Sequence, residues 1–255
     1  MRIVALTQAR MGSSRLPGKV LADVVGDPLL ARVIERARRA RRLGAVVVVT
    51  TEEPADDAIV SLCRERGYGV HRGSALDVLD RYYRGACRLG ADVVVRLAAD
   101  CPLIDPGLID ETVDMFLDSA RPVDYASNRI CGEAEITRIY PIGLDVEVFS
   151  FAALERAWHE ARADYHREHV TPYLYESPGR FRVLGPSRAP DHAHLRWTVD
   201  TDQDLRLVRT VYARFEGRDD FTWRDVVDLF GREPELAAIN AGVTQKSFRE
   251  SQRRP

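Results

Sequence analysis

The sequence predicts an α/β fold, with a mostly parallel sheet that has helices on both faces and a small antiparallel insertion subdomain. Val46–Val49 and Asp92–Leu97 are short runs dominated by valine, which is typical of strands covered on both faces. Such runs alternate with segments of helical periodicity through the first half of the chain, as in a parallel sheet with crossover helices. The alternation gives way to shorter strand-like segments after about residue 122, which predicts the insertion.

The first half of the chain is predicted as a regular alternation of strands and helices. Ile3–Leu6 belongs to a first strand expected over residues 2–7. A helix is expected over residues 28–40, because apolar side chains recur there at helical spacing, namely Leu29, Leu30, Val33, Ile34 and Ala37. Further strands are expected near 46–50, 68–70 and 92–97, and further helices near 55–66, 76–89 and 106–119.

The second half is predicted to leave this sheet and return to it. We expect strands near 123–126, 135–138, 144–149 and 181–184, and helices near 150–163 and 166–176. A strand at 195–199 should rejoin the sheet, and helices at 202–216 and 222–230 should close the fold. The predicted parts are an α/β domain of residues 1–122 and 190–235, an insertion over 123–189, and a tail over 236–255 that ends in disorder from residue 245.

Composition argues against several classes of protein. The net charge is −2, so no general positive field favours nucleic acid. No apolar run approaches the ~20 residues that span a membrane. We expect no signal peptide, because the first residues lead directly into a predicted strand. The four cysteines form no CxxC pair, which argues against a disulfide framework. We expect a cytoplasmic enzyme that binds small molecules.

The segment from Gln8 to Lys19 is the most informative part of the chain. It follows the first strand, where open α/β sheets bind ligands, and it combines small residues with positive charge. Backbone N–H groups of such a loop can approach an anion closely, and cations can neutralise it. We predict a nucleoside triphosphate site, although the loop matches neither GxxxxGK[ST] nor GxGxxG. Its predicted members are Gln8, Ala9, Arg10, Gly12, Ser13, Ser14, Arg15 and Lys19.

Two residues stand out as candidates for chemistry. Of the 37 basic residues only Lys19 and Lys246 are lysine, so a lysine at the end of this loop suggests a need for a compact ammonium group. Asp100 comes just after a buried strand, and a carboxylate there is a natural ligand for Mg²⁺.

Four motifs together resemble the cytidylyltransferases that make CMP-activated acidic sugars. The similarity is to the CMP-Kdo and CMP-sialic acid synthetases and, most closely, to the spore-coat polysaccharide protein F group. It extends from the N-terminus to about residue 215. The motifs are the loop Gln8–Lys19, with Arg10 and Lys19 in it, the segment Arg72–Tyr83, the segment Val95–Asp105, and the segment Trp197–Leu205.

The resemblance implies a reaction and further site residues. CMP would pass from CTP to an acidic acceptor, a sugar acid or a phosphonate, with Mg²⁺ as cofactor, Arg10, Arg15 and Lys19 as catalytic cations, and a homodimer as the functional form. Asp200 would join Asp100 as a metal ligand. The resemblance places Arg72, Gly73, Ser74 and Asp77 at the cytosine and ribose, and Asp145, Arg167, Glu168 and His169 on the acceptor side.

Simpler interpretations remain open at this point. Asp77 could be the start of a helix, and Asp200 could cap one, although Asp202 is the better candidate for that cap. His166 and His169 have a spacing compatible with zinc but lack a third ligand. At the level of function, the alternatives are a nucleotide-sugar glycosyltransferase and a catalytically silent nucleotide-binding protein.

Overall fold

A computed structural model describes residues 1–131, 136–187 and 192–245 of the chain. Its strands are β1 Ile3–Gln8, β2 Asp23–Val24, β3 Asp27–Pro28, β4 Ala45–Thr51, β5 Gly69–Gly73, β6 Val93–Ala98, β7 Tyr125–Ser127, β8 Ile130–Cys131, β9 Ile136–Thr137, β10 Glu147–Ser150 and β11 Val183–Leu184. Its α-helices are α1 Leu29–Ala37, α2 Asp57–Arg66, α3 Val78–Leu89, α4 Pro106–Leu117, α5 Phe151–Glu160, α6 Asp164–His169, α7 Pro172–Tyr175, α8 Asp202–Arg214 and α9 Trp223–Arg232. Short 3-10 turns lie at Lys19–Leu21, Pro54–Asp56 and Pro234–Ile239.

The central sheet has the strand order β11-β7-β10-β6-β1-β4-β5. β1 is parallel to both β4 and β6, and β4 is parallel to β5. β10 is antiparallel to β6 and β7, and the small sheets β2–β3 and β8–β9 are antiparallel as well. The predicted α/β fold with a mostly parallel sheet is therefore confirmed.

Both faces of the central strand β1 are covered. Val4 and Leu6 pack into a core formed with side chains of α3 and α5, whereas Ala5 packs into a second core with α1, α4, α8 and α9. All three side chains are fully buried. Alternate residues of a strand point to opposite faces, so the continuous apolar run seen in the sequence reflects helices on both sides.

The predicted strand at 195–199 is wrong. The segment is extended, but within it only Arg196 forms an isolated bridge, to Ile142, and no strand of the central sheet pairs with it. The Trp197 N–H donates instead to Ile142 O at 2.7 Å. Gly143 permits this approach, since it has φ 110° and a Cβ there would lie 2.7 Å from the backbone nitrogen of Thr198.

The predicted helix at 166–176 is also wrong in extent, because two helices occupy the region. α6 ends at His169, and Val170 has φ 70°, a left-handed conformation that interrupts the helix before Pro172 begins α7. The predicted strand at 135–138 is represented by β9, and residue 135 lies outside the described residues.

The insertion and the tail remain predictions. Within residues 123–189, the strands β7, β10 and β11 join the central sheet rather than forming a sheet of their own. The expected disorder falls on residues 246–255, which lie outside the described part of the chain. Among the described helices, none has the length and apolar character required to cross a lipid bilayer.

Candidate active site

A buried carboxylate holds the loop after β1 in place. The Met11 N–H donates to Asp56 Oδ1 at 2.7 Å, and the Thr51 N–H and hydroxyl donate to Asp56 Oδ2. Burial opposes the charged form of Asp56, but these hydrogen bonds lower its pKa below the usual value. Gly18 then turns the chain with φ 72°, a left-handed conformation that favours glycine, and the following 3-10 turn begins with the buried Lys19.

The Lys19 ammonium lies between the two aspartates predicted as metal ligands. Nζ donates to Asp100 Oδ2 at 2.7 Å, to Asp200 Oδ1 at 2.9 Å and to Val199 O at 2.7 Å. Burial disfavours the ammonium, but the charges of Asp100 and Asp200 outweigh burial and raise the pKa of Lys19 above its usual value. Lys19 is therefore charged, and three oxygens accept from its three N–H groups.

The two aspartates meet because their chain segments are joined by backbone hydrogen bonds. Asp100 follows β6, which is the parallel neighbour of β1. The carbonyl oxygen of Asp100 accepts from the Val199 N–H at 2.8 Å and from the Thr198 hydroxyl at 3.2 Å. Asp200 is the next residue, so these bonds bring both carboxylates within reach of one ammonium group.

Asp200 has three cationic partners. Besides Lys19, it forms an ion pair with Arg15, whose Nη2 lies 2.7 Å from Asp200 Oδ2, and it accepts from Arg196 Nη2 at 2.8 Å. Burial alone would raise the pKa of Asp200, but Lys19, Arg196 and Arg15 together lower it. Asp200 is thus an ionised group that holds the loop cations at the site.

The prediction that Asp202 caps the following helix is wrong. Thr201 is the N-cap of α8 and its hydroxyl accepts from the Asp204 N–H at 3.3 Å, while Asp204 Oδ2 accepts from the Thr201 N–H at 3.0 Å. This reciprocal pair is a capping box. Asp202 is the first residue of α8, and Asp200 lies before the cap.

Most of the predicted site residues line a single cavity of about 310 Å³ where β1 and β6 end. This is the edge at which open parallel sheets bind ligands. The predicted residues in its wall are Gln8, Ala9, Arg10, Ser13, Ser14, Arg15, Lys19, Asp100, Glu168, His169 and Asp200.

The remaining predicted residues lie outside this wall, although some are close to it. They are Gly12, Arg72, Gly73, Ser74, Asp77, Asp145 and Arg167.

The guanidinium group of Arg72 contacts neighbouring segments of the protein and does not line the cavity. Its Nη1 lies 2.5 Å from Asp57 Oδ1, and its Nε donates to Thr51 O at 2.8 Å.

Asp77 is the N-cap of α3 and also forms an ion pair with Arg167 of α6. The interpretation of Asp77 as a helix start is therefore correct, and its link to α6 places a second element beside the cavity. Arg167 Nη1 additionally donates to Trp158 O at 2.8 Å.

The residues predicted for the acceptor side are not all in one place. Glu168 and His169, the last residues of α6, line the cavity. Asp145 is not in the cavity wall, and both of its carboxylate oxygens accept from Arg138, at 3.2 Å and 2.6 Å. A role for Asp145 in binding the acceptor stays a prediction.

Five further wall residues were not among the predicted site residues, although four of them lie within the motif segments Arg72–Tyr83 and Val95–Asp105. Val20, Val78, Arg81, Ala98 and Ala99 also line the cavity. Arg81 is the only one of these with a charged side chain. Its signal in the sequence was its position three residues after Val78, on the inward face of a helix.

The donor set at the cavity fits a magnesium ion, which remains a prediction. Asp100 and Asp200 both line the cavity, and Mg²⁺ in phosphate-transfer sites is commonly bound by one or two carboxylates and by phosphate oxygens. Asp100 Oδ1 has a sulfur contact, 3.5 Å from Cys101 Sγ, and Lys19 binds the other oxygen. For zinc, the described residues contain no group of three or more ligating side chains around His166 and His169.

Comparison with known proteins identifies the family. The family model described as cytidylyltransferase matches residues 4–220. The spore coat polysaccharide biosynthesis protein SpsF of Bacillus subtilis is 31% identical over 92% of this chain and 96% of that protein. The 3-deoxy-manno-octulosonate cytidylyltransferase of Anaeromyxobacter sp. strain K is 32% identical over 84% of this chain and 92% of that protein.

A solved structure has a similar fold over almost the whole chain. The structure of a cytidylyltransferase from Leptospira borgpetersenii serovar Hardjo-bovis has a TM-score of 0.87 and 32% sequence identity, with 97% of this chain and 100% of that chain covered. The match to the family model spans most of the sequence. The chain therefore belongs to the cytidylyltransferase family, and the resemblance found from its motifs is confirmed.

Proposed function

We propose that this member of the cytidylyltransferase family transfers CMP from CTP to an acidic small molecule, a sugar acid or a phosphonate. The observation that carries the proposal is the position of Lys19, bonded to Asp100 and Asp200 in a cavity wall that also contains Arg10 and Arg15. The names of the relatives support an acidic acceptor, since one of them acts on 3-deoxy-manno-octulosonate.

The chain supplies charge and alignment rather than covalent chemistry. An acceptor oxygen would form a bond to the α-phosphorus of CTP, while the bond from that phosphorus to the bridging oxygen breaks and its electron pair leaves with pyrophosphate. A proton on the acceptor oxygen would pass to water. Arg10, Arg15 and Lys19 would neutralise the triphosphate, which lowers the barrier by stabilising charge on the leaving group.

Carboxylates hold two of these cations, Lys19 and Arg15. Asp200 bonds both Lys19 and Arg15, so a triphosphate in the cavity would compete with carboxylate oxygens for the same N–H groups. Mg²⁺, held by Asp100 and Asp200, would neutralise part of the phosphate charge. Glu168 and His169 lie in the wall contributed by α6 and would contact the acceptor.

A nucleotide-dependent thermal shift tests the first half of this proposal without knowledge of the acceptor. The melting temperature is measured with CTP, UTP, ATP and GTP, each with and without Mg²⁺. A ligand at ~100 times its Kd stabilises a folded protein by ~2.7 kcal/mol, which gives a clear increase. We expect the largest increase with CTP and Mg²⁺.

The second half is tested by pyrophosphate release with CTP and a panel of sugar acids and phosphonates. Release that depends on both CTP and one acceptor supports the proposal. A preference for UTP would favour a glycosyltransferase. Binding of CTP without turnover on any acceptor of the panel would favour a silent nucleotide-binding protein.

A further inference from the structure

Arg81 is a buried arginine with few partners. It is 2% exposed, and Nη1 donates to Ser74 O at 2.8 Å. Its Nε is buried without a hydrogen-bond partner, and no salt bridge joins its guanidinium group to a carboxylate of the described residues. An arginine has five N–H donors, so most of its hydrogen-bonding capacity is unused at a position where burial is costly.

Other buried arginines of this protein are more fully bonded. Arg36 donates from Nε, Nη1 and Nη2 to three backbone carbonyls at 2.7–3.0 Å. Arg196 pairs with Asp200 and Asp204. The bonding of Arg81 is thus not a general property of buried arginines in this fold.

The position of Arg81 indicates what it could bind. Arg81 and Arg10 line the same cavity, together with the loop residues Ser13 and Ser14. Burial first, and the charge of Arg10 as well, lower the pKa of Arg81 below its usual value. Two guanidinium groups in the wall of one cavity favour a ligand with several negative charges.

The backbone around Arg81 fixes its side chain close to the preceding strand. Gly73, at the end of β5, allows this, since a Cβ there would lie 3.2 Å from Arg81 Cγ. Ser74 O then holds one end of the guanidinium group at 2.8 Å. The side chain is therefore positioned in advance, which reduces the entropic cost of binding a ligand.

We propose that Arg81 binds the polyphosphate of the nucleotide, in the same cavity as the loop cations Arg10, Arg15 and Lys19, as an additional binding residue of that site. This inference rests on the proposed function, because it assumes that the cavity receives a nucleoside triphosphate. Arginine suits this role because its planar guanidinium group can donate two N–H bonds to phosphate oxygens.

The test compares Arg81→Met with a matched control, Arg84→Met, on the same helix. Arg84 has a side chain that is 62% exposed and pairs with Asp80, away from the cavity. Binding of pyrophosphate, CTP and cytidine is measured by isothermal titration calorimetry. We expect Arg81→Met to weaken pyrophosphate and CTP by about 10- to 100-fold, as for a lost charged hydrogen bond, with cytidine changed less than about threefold.

The melting temperature without ligand separates binding from a structural role. Removing a buried charge that has no carboxylate partner should leave the melting temperature unchanged or increase it. A structural role of Arg81 predicts a lower melting temperature in Arg81→Met. Arg81→Lys retains a charge and should recover part of the pyrophosphate affinity. Unchanged pyrophosphate and CTP affinity in Arg81→Met would overturn the inference, as would a lower melting temperature with equal loss of cytidine binding.

Failure of the proposed function gives a different result. If wild-type protein binds all triphosphates equally and releases no pyrophosphate, the cytidylyltransferase proposal fails, while the pyrophosphate titration still decides the role of Arg81. If wild-type protein transfers CMP and Arg81→Met binds pyrophosphate normally, only the inference on Arg81 fails.

Discussion

The clusters of buried charge around Glu147 and around Lys19 differ in their access to the cavity. Glu147 is 2% exposed and pairs with Arg96, while it also accepts from Arg129 Nη2 at 2.6 Å and from the Tyr125 hydroxyl at 2.7 Å. Arg96 and Glu147 lie opposite each other on the antiparallel strands β6 and β10. The Thr171 hydroxyl also donates to Glu147 Oε1, at 2.9 Å, and neither Glu147 nor its two arginine partners line the cavity, so we assign this cluster a structural role.

The Lys19 cluster has the same chemistry but opens on a cavity. The side chain of Asp100 is 29% exposed and that of Asp200 is 14% exposed. Lys19, Asp100 and Asp200 all line the cavity, so a phosphate oxygen bound there could replace a carboxylate oxygen as the partner of Lys19. Both clusters consist of paired acidic and basic side chains, so the type of ion pair does not distinguish a structural cluster from a ligand site. Access to a cavity does distinguish them.

The largest effect is expected from a substitution in the Lys19 cluster. Lys19→Met should lower the kcat/KM of CMP transfer by about 10²- to 10³-fold, because one preorganised charge is lost at the developing negative charge. Initial rates of pyrophosphate release measure this effect. Lys19→Arg is the control and should recover only part of the activity, because a planar guanidinium group replaces a compact ammonium. A Lys19→Met rate within about fivefold of the wild type would contradict the mechanism.

The second-largest effect is expected from a substitution in the Glu147 cluster. Glu147→Gln should lower the free energy of unfolding by about 3 kcal/mol, because Arg96 and Arg129 keep their buried charges after the carboxylate is removed. Urea unfolding measures the change, and Glu52→Gln, at an exposed position, is the matched control. CTP affinity should change by less than about threefold, since Glu147 is not in the cavity wall.

The effect of Glu147→Gln should depend on pH. Burial alone would raise the pKa of Glu147, but Arg96 and Arg129 outweigh it and lower the pKa to about 2. A carboxylate whose pKa is lowered by folding stabilises the protein fully at pH values above its pKa in the unfolded state, which is about 4.3 for Glu. This stabilisation is lost as the pH falls through the pKa of the folded state. The difference between wild type and variant should therefore shrink between about pH 4.5 and about pH 2. An equal difference at pH 7 and pH 3 would mean that the charge of Glu147 is not its cause.

The smallest expected effect is on the affinity of the Lys19 cluster for a metal ion. If Asp100 and Asp200 form the proposed metal site, Mn²⁺ competes with the Lys19 ammonium for them in the absence of nucleotide. Lys19→Met removes this competition and should bind Mn²⁺ at least about fivefold more tightly, which corresponds to about 1 kcal/mol for one charge near the site. Calorimetry or the Mn²⁺ EPR signal measures it. Equal affinities would indicate that the two aspartates do not form the metal site, and Asp100→Asn provides the control without one ligand.

Sequence patterns predicted the parts of the site that depend on local order. The loop after β1 and Asp100 after β6 were identifiable because each directly follows a buried strand, and the ends of adjacent parallel strands lie together. The extended segment at 195–199 was predicted as a strand that rejoins the sheet. Its hydrogen bonds go to Ile142 and Asp100 instead, which periodicity does not reveal.

The sequence by itself determined the fold class, the family and the identity of the groups that carry charge, since these follow from periodicity, motif order and side-chain chemistry. Only the tertiary structure decided which charges meet. Lys19 and Asp200 are 181 positions apart and touch because Val199 is hydrogen-bonded to Asp100. Arg81 likewise became a candidate only when its burial and its unused donors were visible. Contacts over such distances depend on how packed elements place their side chains, and no local pattern of residues records that placement.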